Sequence, residues 1–405
     1  MPTVVLAGTL DTKGHEYDFL RARLREHDVD VLLVDVGVYQ PLIEPDIARD
    51  EVARSAGEDV ADLAAAGDRG AATAAMGRGA AALLVSLHAA GRLQGVLAVG
   101  GSGGSSIVTT AMRALPVGVP KLMVSTLASG DTRPYVGAVD VTMMYSVVDI
   151  AGINSMSARI LTNAAGAIAG MVGASMPAMQ HKPLIAASMF GVTTPGVTSA
   201  RERLEGLGYE VLVFHATGTG GRSMESLVAG GFLAGVLDLT TTELADELVG
   251  GVLSAGPDRL EAAGAAGLPQ VVSLGALDMV NFGPRETVPS RFENRNLYVH
   301  NPTITLMRTS PEECRELGRQ VGRKLSAATG PTALFVPRKG VSMIAVAGQP
   351  FHDPEADEAL LAGLAETLDG VEVHELDLDV NDEGFAHAMA DRLHEMILTT
   401  PQGDR

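Results

Sequence analysis

Two runs of small residues have the chemistry of an anion cradle. The first is Gly100, Gly101, Ser102, Gly103, Gly104 and Ser105; the second is Thr217, Gly218, Thr219, Gly220 and Gly221. Each follows an apolar, strand-like run, Gly95–Val99 and Val211–Phe214, and the first precedes a helical pattern at Ile107–Leu115. Glycine leaves no Cβ between a backbone amide and a ligand and also permits positive φ. The start of a helix adds unpaired N–H groups and a partial positive charge. Such a loop takes a phosphate without lysine. Both runs read Gly-x-Gly-x-x-Ser, at Gly101, Gly103, Ser106 and at Gly218, Gly220, Ser223. The competing reading is two tight strand-to-helix turns. Neither run has the acidic residue of a dinucleotide fold clearly placed on a following strand, and no P-loop spacing occurs.

A third block, Gly8 to Glu16, closes the first strand-like run. Ligands of open α/β sheets bind outside that edge. Asp11 suits a ribose hydroxyl or a metal there, and Lys13 suits a phosphate. Helix capping is the other reading of this block. Ser129, Asp131, Asp149 and Asp278 also fall at strand ends or inside apolar runs. Each is either a cap, a satisfied core group or a ligand contact, and together they favour a polar cleft. The ten histidines are scattered, and neither His-Glu-x-x-His nor Gly-x-Ser-x-Gly occurs. No metal set is therefore expected. An enzyme acting on a small phosphorylated or carboxylated metabolite is the second functional reading. Its acid and base candidates are Asp131, Asp149, His215 and Asp278.

These residues need strands and helices to position them. Val4–Leu6, a helix over His15–Glu26, and Val29–Val36 predict a right-handed parallel unit. The pattern recurs, with Leu184, Val211 and His215 standing where Val4, Val31 and Asp35 stand. GVLAVGG at 95–101 likewise parallels GVLDLTT at 235–241. The expected fold is α/β, with two Rossmann-like subdomains of mostly parallel sheets, over 1–180 and 181–405. Met176-Pro177 through His181-Lys182-Pro183 reads as the joint. Later expectations are a strand at Ser342–Val346, a helix at Pro354–Leu368 and a final helix at Asp382–Leu398. The uncharged stretch Ile160–Gln180 is Ala/Gly-rich and reads as a helix packed closely through its small residues, not a membrane span.

Composition sets the outer bounds. Over 405 residues, 30 Lys and Arg stand against 49 Asp and Glu, a net charge of −19. That balance argues against nucleic acid as a partner, because phosphate backbones are bound by clustered cations. A single cysteine, Cys314, fits a reducing compartment. The start lacks a basic leader pattern, so a cytoplasmic location is expected.

The blocks GTLDTKGHE, GGSGGSS, VPKLMVSTLASGD, SVVDIAGIN, HATGTGGRSMESL, GVLDLTTTE and GALDMVNFGP resemble, in the same order, the ATP-binding N-terminal domain of the tomato mosaic virus replication-inhibitor family. The resemblance runs from Val4 to about Leu398. It implies two Rossmann-like subdomains, a homodimer, and ATP, with Mg²⁺ as an accompanying ion, held between polar loops in the cleft between the halves. Carried over by motif, the contacts are Asp11, the loop Gly100–Ser105 and the loop Thr217–Gly221. Arg78, on the Ala-rich helix, is placed for a γ-phosphate or is a surface arginine. Some relatives carry a further barrel domain resembling phosphoenolpyruvate-utilising enzymes, which is not among these residues.

Overall fold

The structure is a computed structural model and describes residues 1–175 and 182–400. The expected joint at Met176, Pro177 and His181 lies outside the described residues. The chain divides into two units, Met1–Ala178 and Met179–Arg405.

The first unit runs β1 (Thr3–Gly8), α1 (Leu10–Arg25), β2 (Asp30–Asp35), α2 (Arg49–Ser55), α3 (Val60–Ala66), α4 (Arg69–Ala89), β3 (Gly95–Gly100), α5 (Ser102–Arg113), β4 (Lys121–Ser125), α6 (Arg133–Val136), β5 (Thr142–Tyr145) and α7 (Ser155–Gly173). Its five strands lie in the order β2-β1-β3-β4-β5, and every pair is parallel. Alternation along β1 sends successive side chains to opposite faces. Val4 and Leu6 join Leu20 and Leu24 of α1 and Ile168 of α7 on one face. Val5 and Ala7 join Met76 and Leu84 of α4 and Ile107 of α5 on the other. Helix α4 is long and apolar enough to cross a membrane by length and composition, but half of that stretch is buried in this core.

The second unit runs β6 (Leu184–Met189), α8 (Thr194–Gly206), β7 (Glu210–His215), α9 (Thr219–Ala229), β8 (Gly235–Thr240), α10 (Glu243–Val249), α11 (Ala262–Ala265), β9 (Gln270–Gly275), β10 (Met279–Phe282), β11 (Leu297–Asn301), β12 (Ile304–Arg308), α12 (Pro311–Ser326), β13 (Thr332–Pro337), α13 (Pro354–Ala365), β14 (Glu372–Leu376) and α14 (Glu383–Thr399). Its main sheet, β14-β13-β9-β8-β6-β7, is parallel, and a small antiparallel sheet, β10-β12-β11, is added. Both units are thus Rossmann-like, and the α/β expectation with mostly parallel sheets holds. The antiparallel addition was not foreseen.

Two local expectations need refinement. Ser342–Val346 is not a strand. Ile344 and Ala345 are buried through turns, in which the exposed Met343 donates its N–H to Val192 O at 3.0 Å. The Ala/Gly stretch is helical as far as Gly173 and packs its small residues Ala164 and Ala165 into the core, though a Cβ at Gly170 or Gly173 would meet nothing. Close packing through glycine occurs elsewhere: a Cβ at Gly318 would lie 2.1 Å from Leu360 O, and one at Gly363 would lie 1.9 Å from Arg315 O. There α12 and α13 cross with their backbones almost in contact.

One side chain fastens the middle of the first sheet. β1 and β3 pair from Val4↔Gly95 to Leu6↔Leu97 and then separate. The buried Tyr17 hydroxyl fills the gap, 2.7 Å from Ala7 O and 3.0 Å from Val99 O, and accepts Val99 N–H at 2.9 Å. Its ring passes where a Cβ of Gly8 would be, at 2.0 Å. Tyr17→Phe leaves Val99 N–H buried without a partner, so chemical denaturation of this unit should show a loss of about 1–3 kcal/mol. An unchanged midpoint would remove the hydroxyl from this role.

Candidate functional site

In an open α/β sheet a ligand crevice forms where strand order reverses, because the loops on either side leave toward opposite faces. In the first unit that point lies between β1 and β3. The loop after β1 and the loop after β3 bound a cavity of about 530 Å³. Its lining includes Thr9, Asp11, Thr12 and Lys13 from one side and Gly100, Gly101, Ser102, Gly103 and Gly104 from the other. Val36, Gly37, Val38 and Tyr39 after β2, Arg69 and Met76 of α4, and Asp149 complete most of the wall.

The glycine run is not a loop ahead of a helix but the helix start itself. Gly101 is the N-cap and Ser102 opens α5. No side chain caps this end, whereas Asp68 caps α4 and Asn154 caps α7. None of the glycines from 100 to 104 has positive φ. A Cβ at Gly103 would stand 3.4 Å from Arg69 Nη2, and one at Gly104 would stand 3.9 Å from Val99 O. Internal packing therefore does not demand glycine at these two positions. What glycine leaves bare is the amide face of the first turn, toward the crevice.

The other expected residues separate. Asp11 lines the crevice; its Oδ2 has only a 3.4 Å contact from Tyr39 N–H, and its buried Oδ1 has no partner. Lys13 lines it too, with its ammonium donating to Ile150 O. Asp149 is an exposed member of the wall. Ser105 turns away, its hydroxyl 2.7 Å from that of Ser125 in the core. Ser129 is exposed and is not part of the lining. Arg78 is on the surface, 3.2 Å from Glu58, and does not line the crevice. On that helix the cation that does is Arg69, which has no ion pair among the described residues and was missed in the sequence. Its signal was present: Asp68 reads as an N-cap after Gly67, which puts Arg69 at the first helical position.

The second glycine run has a different use. Gly218 N–H and Gly221 N–H donate to Glu243 Oε1 at 2.6 and 3.1 Å. Arg259, fully buried, donates to Glu243 Oε2 at 2.7 Å and to Asp238. The cradle already holds an anion, the chain's own. Glycine is compulsory here, since a Cβ at Gly220 would lie 1.8 Å from His215 O and one at Gly221 would lie 2.1 Å from Glu243 Oε2. Thr217 and Thr219 are exposed beside it. The two runs are also not equivalent by strand order, as one follows β3 and the other follows β7, the counterpart of β2.

At the second unit's own reversal point, between β6 and β8, side chains close the crevice. Ser188 donates to Asp238 at 2.6 Å and accepts Thr240 N–H at 2.9 Å; Thr193 and Thr240 share a hydroxyl bond of 2.7 Å. Asp278 is sealed nearby in this unit, accepting from Ser342 at 2.7 Å. Burial pushes its carboxyl up to about 6, against the pull of Arg308. The acid and base candidates do not assemble within either unit. Asp131 pairs with Arg133 on the surface, His215 is exposed at the end of β7, and Asp278 is enclosed. Among the described residues no group of three His, Cys, Asp or Glu converges as a metal site.

The N-terminal and C-terminal domain descriptions of the uncharacterised protein family UPF0261 match residues 2–177 and 182–397. The chain belongs to UPF0261. A UPF0261 protein of Clostridium tetani is 54% identical over 398 residues, covering 97% of this chain and 98% of its own. The ToMV susceptible protein tm-1 of Solanum lycopersicum is 40% identical, covering 98% of this chain but 56% of its own length. This chain therefore spans little more than half of that relative. Among solved structures, a putative UDP-N-acetylglucosamine 2-epimerase from Listeria monocytogenes overlaps 100% of this chain at 12% identity and a TM-score of 0.26, too low to carry an argument.

In this UPF0261 chain the buried carboxylates of the second unit also set a pH dependence. Burial pushes Asp246 from 3.8 up to about 7, against bonds from Asn281. Between those values the folded chain keeps a proton that the unfolded chain releases, so folding weakens as pH rises. Asp246→Asn removes this titration, and Asn281 Oδ1, which has no partner, is available to the new amide. Thermal unfolding should show the variant gaining on the wild type between pH about 5 and about 8. A constant difference across that range would contradict the assignment.

Proposed function

We propose that the N-terminal unit binds a nucleotide, ATP or a close relative, in the crevice between β1 and β3. The phosphates sit on the first-turn amides of α5 and on Arg69. The observation that carries this reading is the uncapped start of α5, which opens on the crevice with an unpaired guanidinium beside it and no anion from the chain. Helix starts attract phosphate through their free N–H groups and partial charge. The second glycine run shows what the same protein does when such a cradle is needed only for structure: it fills it with Glu243. The cavity of about 530 Å³ suits a small-molecule ligand. Val36, Val38 and Met76 give it apolar wall, and the exposed Tyr39 ring offers a stacking face for a base.

Mg²⁺ commonly binds through one or two carboxylates plus substrate phosphates. Asp149, an exposed carboxylate of the wall, suits that role, while Asp68 beside Arg69 is engaged as the cap of α4. Lys13, whose ammonium gives one of its three donors to Ile150 O, has donors left for a phosphate. The same proposal places the protein in the cytoplasm as a homodimer, and native mass spectrometry reads the dimer directly.

Isothermal titration with ATP and Mg²⁺ should saturate at one nucleotide per chain. Gly103→Val puts a side chain into the cradle, and Arg69→Ala removes its cation. Each should weaken binding by roughly tenfold or more, the loss of a charge-assisted contact, while Arg78→Ala should leave it unchanged. Absence of ATP binding, or full affinity in both folded crevice variants, would sink the assignment.

A further inference from the structure

A sheet edge presents a row of unpaired backbone groups, and soluble proteins cover, charge, bend or shorten it. The three sheets here end in β2 and β5, in β10 and β11, and in β14 and β7. Five of these edges are managed. Asp46 N–H donates to Leu33 O at 2.9 Å and Asp35 N–H donates to Ile47 O at 3.0 Å, so the segment after β2 covers it. On β10, Asn281 N–H donates to Asp246 Oδ1 and Asn281 O accepts from Val252 N–H, both at 2.9 Å. β11 is bent by a bulge between Val299 and Asn301. β14 carries Glu372 and Glu375 among its five residues. β5 has only four residues, and Val147, with φ 62°, turns the chain away just beyond it.

Among the described residues, β7 has none of these devices. Its centre, Val211–Phe214, is apolar and half-buried throughout, and the strand pairs with β6 only. Glu210 N–H donates to Pro183 O at 3.0 Å, and Ala216 N–H donates to Met189 O at 2.7 Å. Alternate residues of a strand address one neighbour. The backbone groups of Glu210, Leu212 and Phe214 therefore turn to β6, and those of Val211 and Val213 turn to the open side.

The charges at the two ends say what fits. Glu210 is exposed at one end of the strand, and Arg222 is exposed just beyond the other. Neither has an ion pair among the described residues, and Arg222 donates to Ser254 O at 3.0 Å. Opposite charges at opposite ends make the edge complementary to itself in the antiparallel direction. A two-fold axis needs that property, because one patch serves both copies. With Val213 of each copy face to face, the open N–H and C=O groups pair. Leu212 then lies across from Phe214 of the second copy, an apolar cross-strand pair. Glu210 lies across from Ala216. Leu212 and Phe214 share their face with Met224 and Val228 of α9. Glu210 thus arrives on the side where α9 begins, beside Arg222 of the second copy.

We infer that the β7 edge joins two copies of this chain, antiparallel about Val213, into one continuous sheet. This rests on the proposed homodimer and names the surface that forms it.

The test is the dimer dissociation constant of the full chain, measured by analytical ultracentrifugation. Val213→Pro removes an outward donor and leaves the bonds to β6 in place. It should weaken the dimer roughly a hundredfold or more. Glu210→Arg and Arg222→Glu, both at exposed positions, should each weaken it roughly tenfold. Combined in one chain, the two reversals should return it to within about twofold of wild type. A dimer as tight in Val213→Pro and in both single reversals as in wild type overturns this inference and leaves the homodimer intact. Reversals whose losses simply add in the combined chain also overturn it. A wild type that stays monomeric at high micromolar concentration overturns the homodimer and this inference with it, and leaves the edge to a strand of another protein.

Discussion

The Tyr17 hydroxyl is the contact on which the first unit's crevice depends. Parallel strands on either side of an order reversal must diverge, and their last backbone groups then lose their ladder partners. Here β1 and β3 stop pairing at Leu6↔Leu97, and Tyr17 reaches up from α1 to serve Ala7 and Val99 across the gap. The reach is possible because residue 8 is glycine. With the floor fixed in this way, α1 and α5 start on opposite sides of the opening; Asp35 accepts from Leu10 N–H at the start of α1, whereas no side chain caps the start of α5. The anion-attracting end of α5 is thus a consequence of how the sheet is closed beneath it.

The second unit solves the same problem by the opposite means. By the pairings Val4↔Gly95 and Ile185↔Gly235, Ser188 stands at the place corresponding to Ala7, and it supplies the bridging hydroxyl itself. The space above is then filled by Thr193, Thr240 and the Arg259 network, all buried. Arg259 faces Asp238, Glu243 and Glu225, so its charge is surrounded by acids and held far into the protonated state. Removing one acid from such a set costs more than the pair contributes, because a buried charge is left behind. The two halves share strand order and diverge in what sits at the reversal, an open crevice in one and a fixed polar core in the other.

Much of the fold was legible in the sequence. Apolar runs, helical periodicity and the recurrence of one strand-helix-strand pattern sufficed for two parallel α/β units. Ser342–Val346 misled because an apolar run records burial and not strand geometry. The site was legible only in part. Gly100–Gly104 announced itself by composition, but so did Gly218–Gly221, and composition does not reveal whether a cradle is filled. The filling residue, Glu243, lies 25 and 22 residues beyond the two glycines whose amides it holds. Arg78 and Arg69 lie on one helix, and only the direction of each side chain separates a surface pair with Glu58 from a crevice cation. Asp35 was visible as a strand end, but that it and Asp11 both approach Gly37 is set by the turn there.

An acidic chain of net charge −19 can still attract phosphate if backbone amides do the holding. The most direct test is a crystal structure with a non-hydrolysable ATP analogue and Mg²⁺. The account predicts phosphate density on the amides of Ser102, Gly103 and Gly104 beside Arg69, with Glu243 still seated on Gly218 and Gly221. Phosphate density on the second glycine run with Glu243 displaced, or none at the start of α5, would contradict it.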